Sequence, residues 1–366
     1  MVNFARNISD AALETRIRAL VEKAASTSRI ERDEILTLLR ANTGQAECLF
    51  AAADSVRRNA VGDSIVLLGL IEFSNYCRRN CFYCGIRAEN KDLERYSIPP
   101  DEILRICEKM VDLGVYHALL QSGEDPNYTC DELCNLIEKI KSSFSVKITL
   151  AIGERKPKDC EALKQAGADG FLLKHHTADS SLYAKLHPGM SFFDRLHCLS
   201  HVKELGFEFG GGSMVGLPGQ TLHSLADDTI LLRSLNVSIA TIGPFIAAHG
   251  TPLAFEGETW RLRQTPLLSV SNKKETVVEF VLKLIALTRL LLPRVQLVSN
   301  TALASLLPRG REMGLLAGAN VLLPNFTPTK CKELFGVFDD RICTRETPEE
   351  AMASIKILAE KLGRKL

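Results

Sequence analysis

Ser64-Ile65-Val66-Leu67-Leu68-Gly69-Leu70-Ile71-Glu72-Phe73 is an almost unbroken apolar run. A strand with one wet face would alternate apolar and polar side chains. A continuous run marks a strand covered on both faces, as in a parallel sheet flanked by helices. Seven further short apolar runs follow it, at His117–Gln121, Val146–Ile152, Gly170–Lys174, Glu208–Val215, Ser238–Phe245, Val295–Ser299 and Ala319–Leu323. Amphipathic segments fill the gaps: Asp101–Leu113, Asp131–Lys141, Lys158–Gln165, Phe192–Leu205, Leu222–Leu235 and Lys274–Leu292. The first of these puts Ile103, Leu104, Cys107, Met110 and Val111 on one face, with Pro100 and Asp101 as start signals. Eight strands alternating with helices predict an α/β fold, a closed (β/α)8 TIM-type barrel over residues 61–326. Residues 1–60 carry helical periodicity only, at Ala12–Ala24 and Arg32–Leu39, and are expected to form an N-terminal helical cap. Residues 327–366 read as a C-terminal extension that ends in a helix over 347–363.

The chain has 366 residues, and 45 Lys+Arg against 44 Asp+Glu leave a net charge of +1. With 46% hydrophobic and 24% charged residues, this is a globular composition, not that of a disordered chain. Basic residues are not clustered beyond Arg78-Arg79, so no nucleic-acid partner is expected. No apolar run approaches the roughly 20 residues of a membrane span. Arg6, Asp10, Glu14, Arg16 and Arg18 interrupt any secretory leader, so the expected location is cytoplasmic. Eleven cysteines cannot all pair, and in a reducing compartment they should be core filler or metal ligands. Cys48, Cys107, Cys130, Cys134, Cys160, Cys198, Cys331 and Cys343 are scattered; Cys130 and Cys134 fit one helix face and read as packing.

Three cysteines are not scattered. Asn75-Tyr76-Cys77-Arg78-Arg79-Asn80-Cys81-Phe82-Tyr83-Cys84-Gly85 follows the first strand, at the barrel mouth where active sites are built. A three-residue then a two-residue gap lets a loop wrap a cuboidal cluster, giving one thiolate to each of three irons and leaving the fourth open. A zinc site would close its coordination with a fourth Cys or His, and the nearest downstream His is His117. Unrelated core thiols would not be flanked by Arg78, Arg79 and Asn80. Two other words lie at strand ends. Ser122-Gly123-Glu124-Asp125 can bring its backbone close to a ligand and accept from an ammonium, although alone it would be a turn. Gly210-Gly211-Gly212-Ser213-Met214-Val215-Gly216 strips side chains from a strand, for tight packing or for a flat ligand.

C-x-x-x-C-x-aromatic-C after a first strand resembles the signature of radical S-adenosylmethionine (SAM) enzymes. Ile71-Glu72-Phe73-Ser74-Asn75, Gln121-Ser122-Gly123-Glu124-Asp125-Pro126, the stretch Gly212–Thr221, Gly243-Pro244-Phe245-Ile246 and Gly318-Ala319-Asn320-Val321 narrow the resemblance. They are similar to the HydE family, maturases of FeFe hydrogenase related to biotin synthase and methylornithine synthase. The similarity runs in order from about residue 60 to 345. It implies one 4Fe–4S cluster on the catalytic Cys77, Cys81 and Cys84, with SAM chelating the open iron and cleaved by one electron to a 5′-deoxyadenosyl radical. It implies SAM contacts from Tyr83, Ser122, Gly123, Glu124, His176, Met214, Gly243 and Pro244, with Arg195 pairing the SAM carboxylate. The implied substrate is a small iron complex with cysteine, carbonyl and cyanide ligands. An electron donor such as a flavodoxin or ferredoxin, and other hydrogenase maturases, are the implied partners; no membrane is.

The chain departs from that pattern at three places. Lys174 and His176 stand where typical members have arginine and glutamate, and Asn300-Thr301 replaces a pair of threonines in the anion-binding barrel interior; Lys174, His176, Asn300 and Thr301 are the expected substrate-lining residues. An accessory cluster of some members would need cysteines where Ala351 and Ser354 follow Cys343, so no second cluster is expected. If Lys174 points inward, strand alternation sends His176 inward and His175 outward. The departures therefore leave a second reading open, a HydE-like enzyme acting on a different small organic or sulfur-containing anion. They also predict poor complementation of a HydE deletion. A non-catalytic iron–sulfur carrier would not need the SAM-side words on strands two, five and six.

Overall fold

The apolar run after Ser64 folds as two strands in one line, β1 (Val66–Leu67) and β2 (Gly69–Ser74), interrupted only at Leu68. This computed structural model describes residues 10–255 and 273–366. The remaining strands are β3 (His117–Ser122), β4 (Lys147–Ala151), β5 (Gly170–Leu172), β6 (Glu208–Val215), β7 (Ile239–Pro244), β8 (Gln296–Val298) and β9 (Val321–Leu322). Every ladder is parallel and the order is β1-β9-β8-β7-β6-β5-β4-β3-β2. Because β1 and β2 are one continuous line, the two ends of that order meet. Leu70 N donates to Pro324 O at 2.8 Å and Phe326 N donates to Leu70 O at 2.8 Å, which closes the barrel. Gly69 sits at the switch because a Cβ there would lie 2.4 Å from Met110 Sδ.

Alternation sorts the side chains. Leu68, Leu70, Leu119, Ile239, Val298 and Val321 form an aliphatic plug inside the barrel. Their neighbours Ile71, Phe73, Leu120, Leu150, Phe171 and Leu297 join the large core between strands and helices. By the same parity Glu72 and Gln121 face inward above the plug.

Helices Asp10–Thr27, Arg32–Leu39 and Thr43–Val61 precede the barrel and pack mainly on Lys273–Leu291 and Leu222–Leu235. The ammonium of Lys283 seals that seam, donating to Leu39 O at 3.1 Å and Ala41 O at 2.6 Å. At the other end Arg364 joins the Asp54 carboxylate to Ala319 O, tying the chain's last turn to the barrel's base. The C-terminal helix is Pro348–Lys361, started by a Thr347/Glu350 capping box.

Short helices Ser180–Leu186, Pro252–Phe255, Thr301–Leu306, Gly310–Leu316 and Thr329–Leu334 lie in the connections, too short to show periodicity in sequence. β5 ends at Leu172, short of the expected Lys174, and β8 and β9 pair over fewer residues than their apolar runs suggest. Among the described residues no helix is long and apolar enough to cross a membrane.

Candidate functional site

The cysteine loop leaves β2 at the C-terminal mouth and is held from several sides. Arg78 N donates to Glu124 O at 3.0 Å, and Ser74 Oγ donates to the Asp125 carboxylate at 2.5 Å. Gly123 is needed for that approach, since a Cβ would lie 2.3 Å from Tyr76 O and 2.6 Å from Cys77 Cβ. A single guanidinium, Arg95, pins both limbs of the loop through Asn75 O, Ile86 O, Arg87 O and Asn90 O, at 2.6, 2.8, 2.6 and 3.1 Å. Asn75 Nδ2 adds Glu94 O and Leu334 O.

Cys77, Cys81 and Cys84 are free thiols, each partly buried. Burial first, and then the neighbouring thiols, push Cys81 up to about 12 and Cys84 higher still, while burial outweighs the Arg79 amide at Cys77. Three thiolates on one short loop need cationic compensation, which a bound metal centre would supply. Among the described residues no three His, Cys, Asp or Glu side chains are placed to hold a single metal ion. A three-cysteine donor set fits a polynuclear iron–sulfur cluster better than one zinc ion, whose structural sites take four ligands.

Tyr83, between Cys81 and Cys84, packs with Leu182, Leu186, Met214, Leu217, Ala247 and Leu253 in a second apolar cluster beside the cysteines. Its hydroxyl meets His187 Nε2 at 2.9 Å and His176 Nδ1 at 3.4 Å. The two imidazoles stack with centroids 4.8 Å apart, and His187 stacks on Tyr183 at 4.1 Å. Burial holds His187 down to about 4 and His176 well below its ordinary value, so both rings are neutral near pH 7. His176 has φ +68° and meets β6 through a single bridge to Ser213. His175 faces outward, fully buried against the helix layer with its Nε2 3.8 Å from Asp228.

A chain of alternating charges runs along the other side of the loop. Glu124 accepts from Arg79 Nε at 2.5 Å, Arg78 Nε at 3.0 Å and Glu154 N at 3.0 Å. Glu154 in turn pairs with Arg79 and with Arg195 Nε, both at 2.8 Å, and Arg195 also donates to Tyr183 Oη at 3.1 Å. Glu124 is thus committed to holding the loop. Ser122 Oγ donates to Gly123 O at 2.7 Å. Arg195 is buried one helical turn into Phe192–Glu204, beside this chain rather than in solvent. Met214 and Gly243 are register partners, as are Val215 and Pro244, so the two strand ends form one ledge.

The interior positions separate into committed and free groups. Asn300 caps Thr301–Leu306, its Oδ1 accepting from Leu303 N at 3.0 Å and its Nδ2 donating to Ile242 O at 2.7 Å. The structure spends the amide that the sequence reading offered to a substrate. Thr301 Oγ1 accepts from Arg311 at 3.2 Å. Glu72 faces inward but is neutralised by Arg341 at 2.6 Å and accepts a hydrogen bond from Asn325 Nδ2 at 3.0 Å. Lys174 is different. With Leu173 in the outer core and His175 outward, its side chain points inward, and it has no hydrogen-bond or ion-pair partner among the described residues. Burial lowers its ammonium to about 8.

Glu154, His187, Arg95 and the Glu72–Arg341 pair were not read from the sequence. Only the proximity of Arg79 and Arg195 to a shared acid would have signalled Glu154, and that proximity exists only in the fold.

Residues 71–231 match the family model of the radical SAM superfamily. The chain is 42% identical to the [FeFe] hydrogenase maturase subunit HydE of Thermotoga maritima, over 88% of this chain and 87% of that protein. It is 27% identical to a 3-methylornithine synthase of Methanosarcina acetivorans, over 82% of this chain and 81% of that one. Its fold is similar to that of a solved methylornithine synthase, with TM-score 0.79 at 24% identity, covering 94% of this chain and 96% of that one. It is also similar to that of the hydrogenase maturase HydG, with TM-score 0.77 at 19% identity, covering 98% and 79%. The 42% identity to HydE, sustained over 88% of the chain, places it in the HydE family of radical SAM enzymes, which work with a 4Fe–4S cluster and SAM.

Proposed function

We propose that this enzyme is a maturase of the HydE type, acting inside its barrel on a small anionic iron- or sulfur-containing compound. The observation that carries the substrate class is the inward ammonium of Lys174, unpaired among the described residues. Cys77, Cys81 and Cys84 would hold the cluster. When bound, cluster and SAM together supply a 5′-deoxyadenosyl radical on one-electron reduction. The chain's own residues then have three tasks. Arg195, buried and oriented by Glu154 and Tyr183, meets the SAM carboxylate with a charge-assisted bond. Ser122 and Gly123 offer their oxygens to the SAM ammonium, while Glu124 keeps the loop in place through Arg78 and Arg79. Tyr83, Met214, Gly243 and Pro244 form the apolar ledge for adenine, and neutral His176 borders it, keeping water from the reacting carbon. Lys174 anchors the substrate below.

Arg78, half exposed on the cluster loop, suits an acidic one-electron donor of the flavodoxin or ferredoxin kind. A second reading, a HydE-like enzyme with another small anion as substrate, is favoured by the neutral His176–His187 stack where the family carries an acid.

Complementation of a HydE-deleted hydrogenase producer tests the proposal. Partial restoration of hydrogenase activity is expected, raised by Lys174→Arg and His176→Glu. The Asn300 substitution should add little, because its amide is already spent. No restoration by the native chain or by the double variant would sink the maturase reading in favour of the second.

A further inference from the structure

His187, fully buried, caps the helix Ser180–Leu186. The Tyr183 carbonyl accepts from it twice, from its backbone N–H at 3.0 Å and from its ring Nδ1 at 2.8 Å. A carbonyl oxygen only accepts, so this imidazole carries a hydrogen at Nδ1. The ring is neutral, because it is buried and lies face to face with His176 at 4.8 Å, an arrangement that two imidazolium ions would not hold. Its Nε2 is therefore an acceptor.

That one carbonyl sets the sense of every bond that follows. Tyr83 Oη lies 2.9 Å from His187 Nε2 and donates its hydrogen there. The phenol oxygen has only lone pairs left for its second neighbour, His176 Nδ1 at 3.4 Å. To meet them, His176 carries its own hydrogen at Nδ1. Neutral as well, it is left with a bare Nε2 that has no protein partner among the described residues, on a ring that is only partly buried. The chain runs from Tyr183 O through His187 and Tyr83 to His176, and each link has one direction only.

We propose that His187 is a positioning residue for SAM binding, which locks His176 in the tautomer whose Nε2 accepts a hydrogen bond from an O–H or N–H group of SAM. This role, which rests on the reading of Tyr83 and His176 as borders of the SAM ledge, needs no contact between His187 and SAM, since His187 acts through Tyr83. Removing its acceptor frees the Tyr83 hydroxyl to turn and donate to His176 Nδ1. His176 then carries its hydrogen at Nε2, where a donor would face a donor.

The test is SAM titration of anaerobic, cluster-loaded protein, with iron content measured for each variant. His187→Leu should weaken SAM binding about ten-fold with iron content unchanged. Tyr83→Phe, which cuts the chain without reversing it, should weaken binding only about three-fold. Adding Tyr83→Phe to His187→Leu should bring binding back to about that three-fold level, because no hydroxyl is left to force the wrong tautomer. His187→Gln, which keeps an acceptor near the place of Nε2, should bind within about two-fold of native. A double variant as weak as His187→Leu or weaker would overturn the proposal, since loss of a merely structural histidine is not repaired by a second truncation. Where His187→Leu does not load its cluster, the other two single variants decide. Unchanged binding in Tyr83→Phe, or a loss beyond about five-fold in His187→Gln, overturns the proposal and leaves the reading of the ledge standing. Loaded native protein that binds no SAM overturns both.

Discussion

Replacing Lys174 with methionine should stabilise the protein while weakening its hold on an anion. The stem volume is kept and the ammonium is removed. A fall of the ammonium from 10.5 to about 8, at about 1.36 kcal/mol per pKa unit, sets a ceiling near 3.4 kcal/mol on what burying the charge costs. The side chain is partly exposed, and solvent screening brings the expected gain to about 1–2 kcal/mol. The sign follows from linkage. Below about pH 8 the ammonium is charged in folded and unfolded chains alike, and the full penalty falls on the native state. Between about 8 and 10.5 the folded chain gives up the proton while the unfolded chain keeps it, so the penalty shrinks, and it vanishes above that range. Anaerobic urea unfolding of native protein and Lys174→Met, at about pH 7 and about pH 9.5, should show an advantage for the variant that falls by more than half at the higher pH. A variant less stable than the native chain at neutral pH, or an advantage equal at both, would mean that Lys174 is not an unpaired interior cation.

Other expectations follow from the same geometry. Glu124→Gln removes the carboxylate shared by Arg78 and Arg79, and should lower stability by about 2–3 kcal/mol and hasten cluster loss, both read by anaerobic melting. SAM affinity of the protein that remains loaded should be unchanged; a lower affinity with normal cluster retention would make Glu124 a SAM ligand. Arg195→Ala should weaken SAM binding by about 1.5–3 kcal/mol in a titration, and unchanged binding would remove Arg195 from the site. Asn300→Ala loses a helix cap and strands the Ile242 carbonyl, and should cost about 1–3 kcal/mol of stability in urea unfolding.

The barrel was legible because its signals are local. Glu208–Val215 and Leu222–Leu235 fall at the bounds read from sequence, since each is a long element with turn or cap residues on both sides. The place of the cysteine loop at the barrel mouth was legible from the strand that precedes it. β5 was read two residues too long, because beyond Leu172 it meets β6 again only at the single bridge of His176 with Ser213, where His176 has φ +68°. The ion-pair chain through Glu154 was hidden for a related reason. Glu124 and Glu154 lie on two different loops and Arg195 on the helix Phe192–Glu204, and nothing periodic links them in the sequence. Asn300 looked like an open interior amide because a cap is visible only once the helix it starts, six residues long, is known to exist.

Cluster-loaded protein reduced under anaerobic conditions with SAM should release 5′-deoxyadenosine, or hold it as an adduct, with about four irons per chain. The triple variant Cys77→Ala, Cys81→Ala, Cys84→Ala should bind no cluster and form neither product. Iron retained by that triple variant, or no SAM cleavage by fully loaded native protein, would contradict the assignment of the cysteine loop on which the whole account rests.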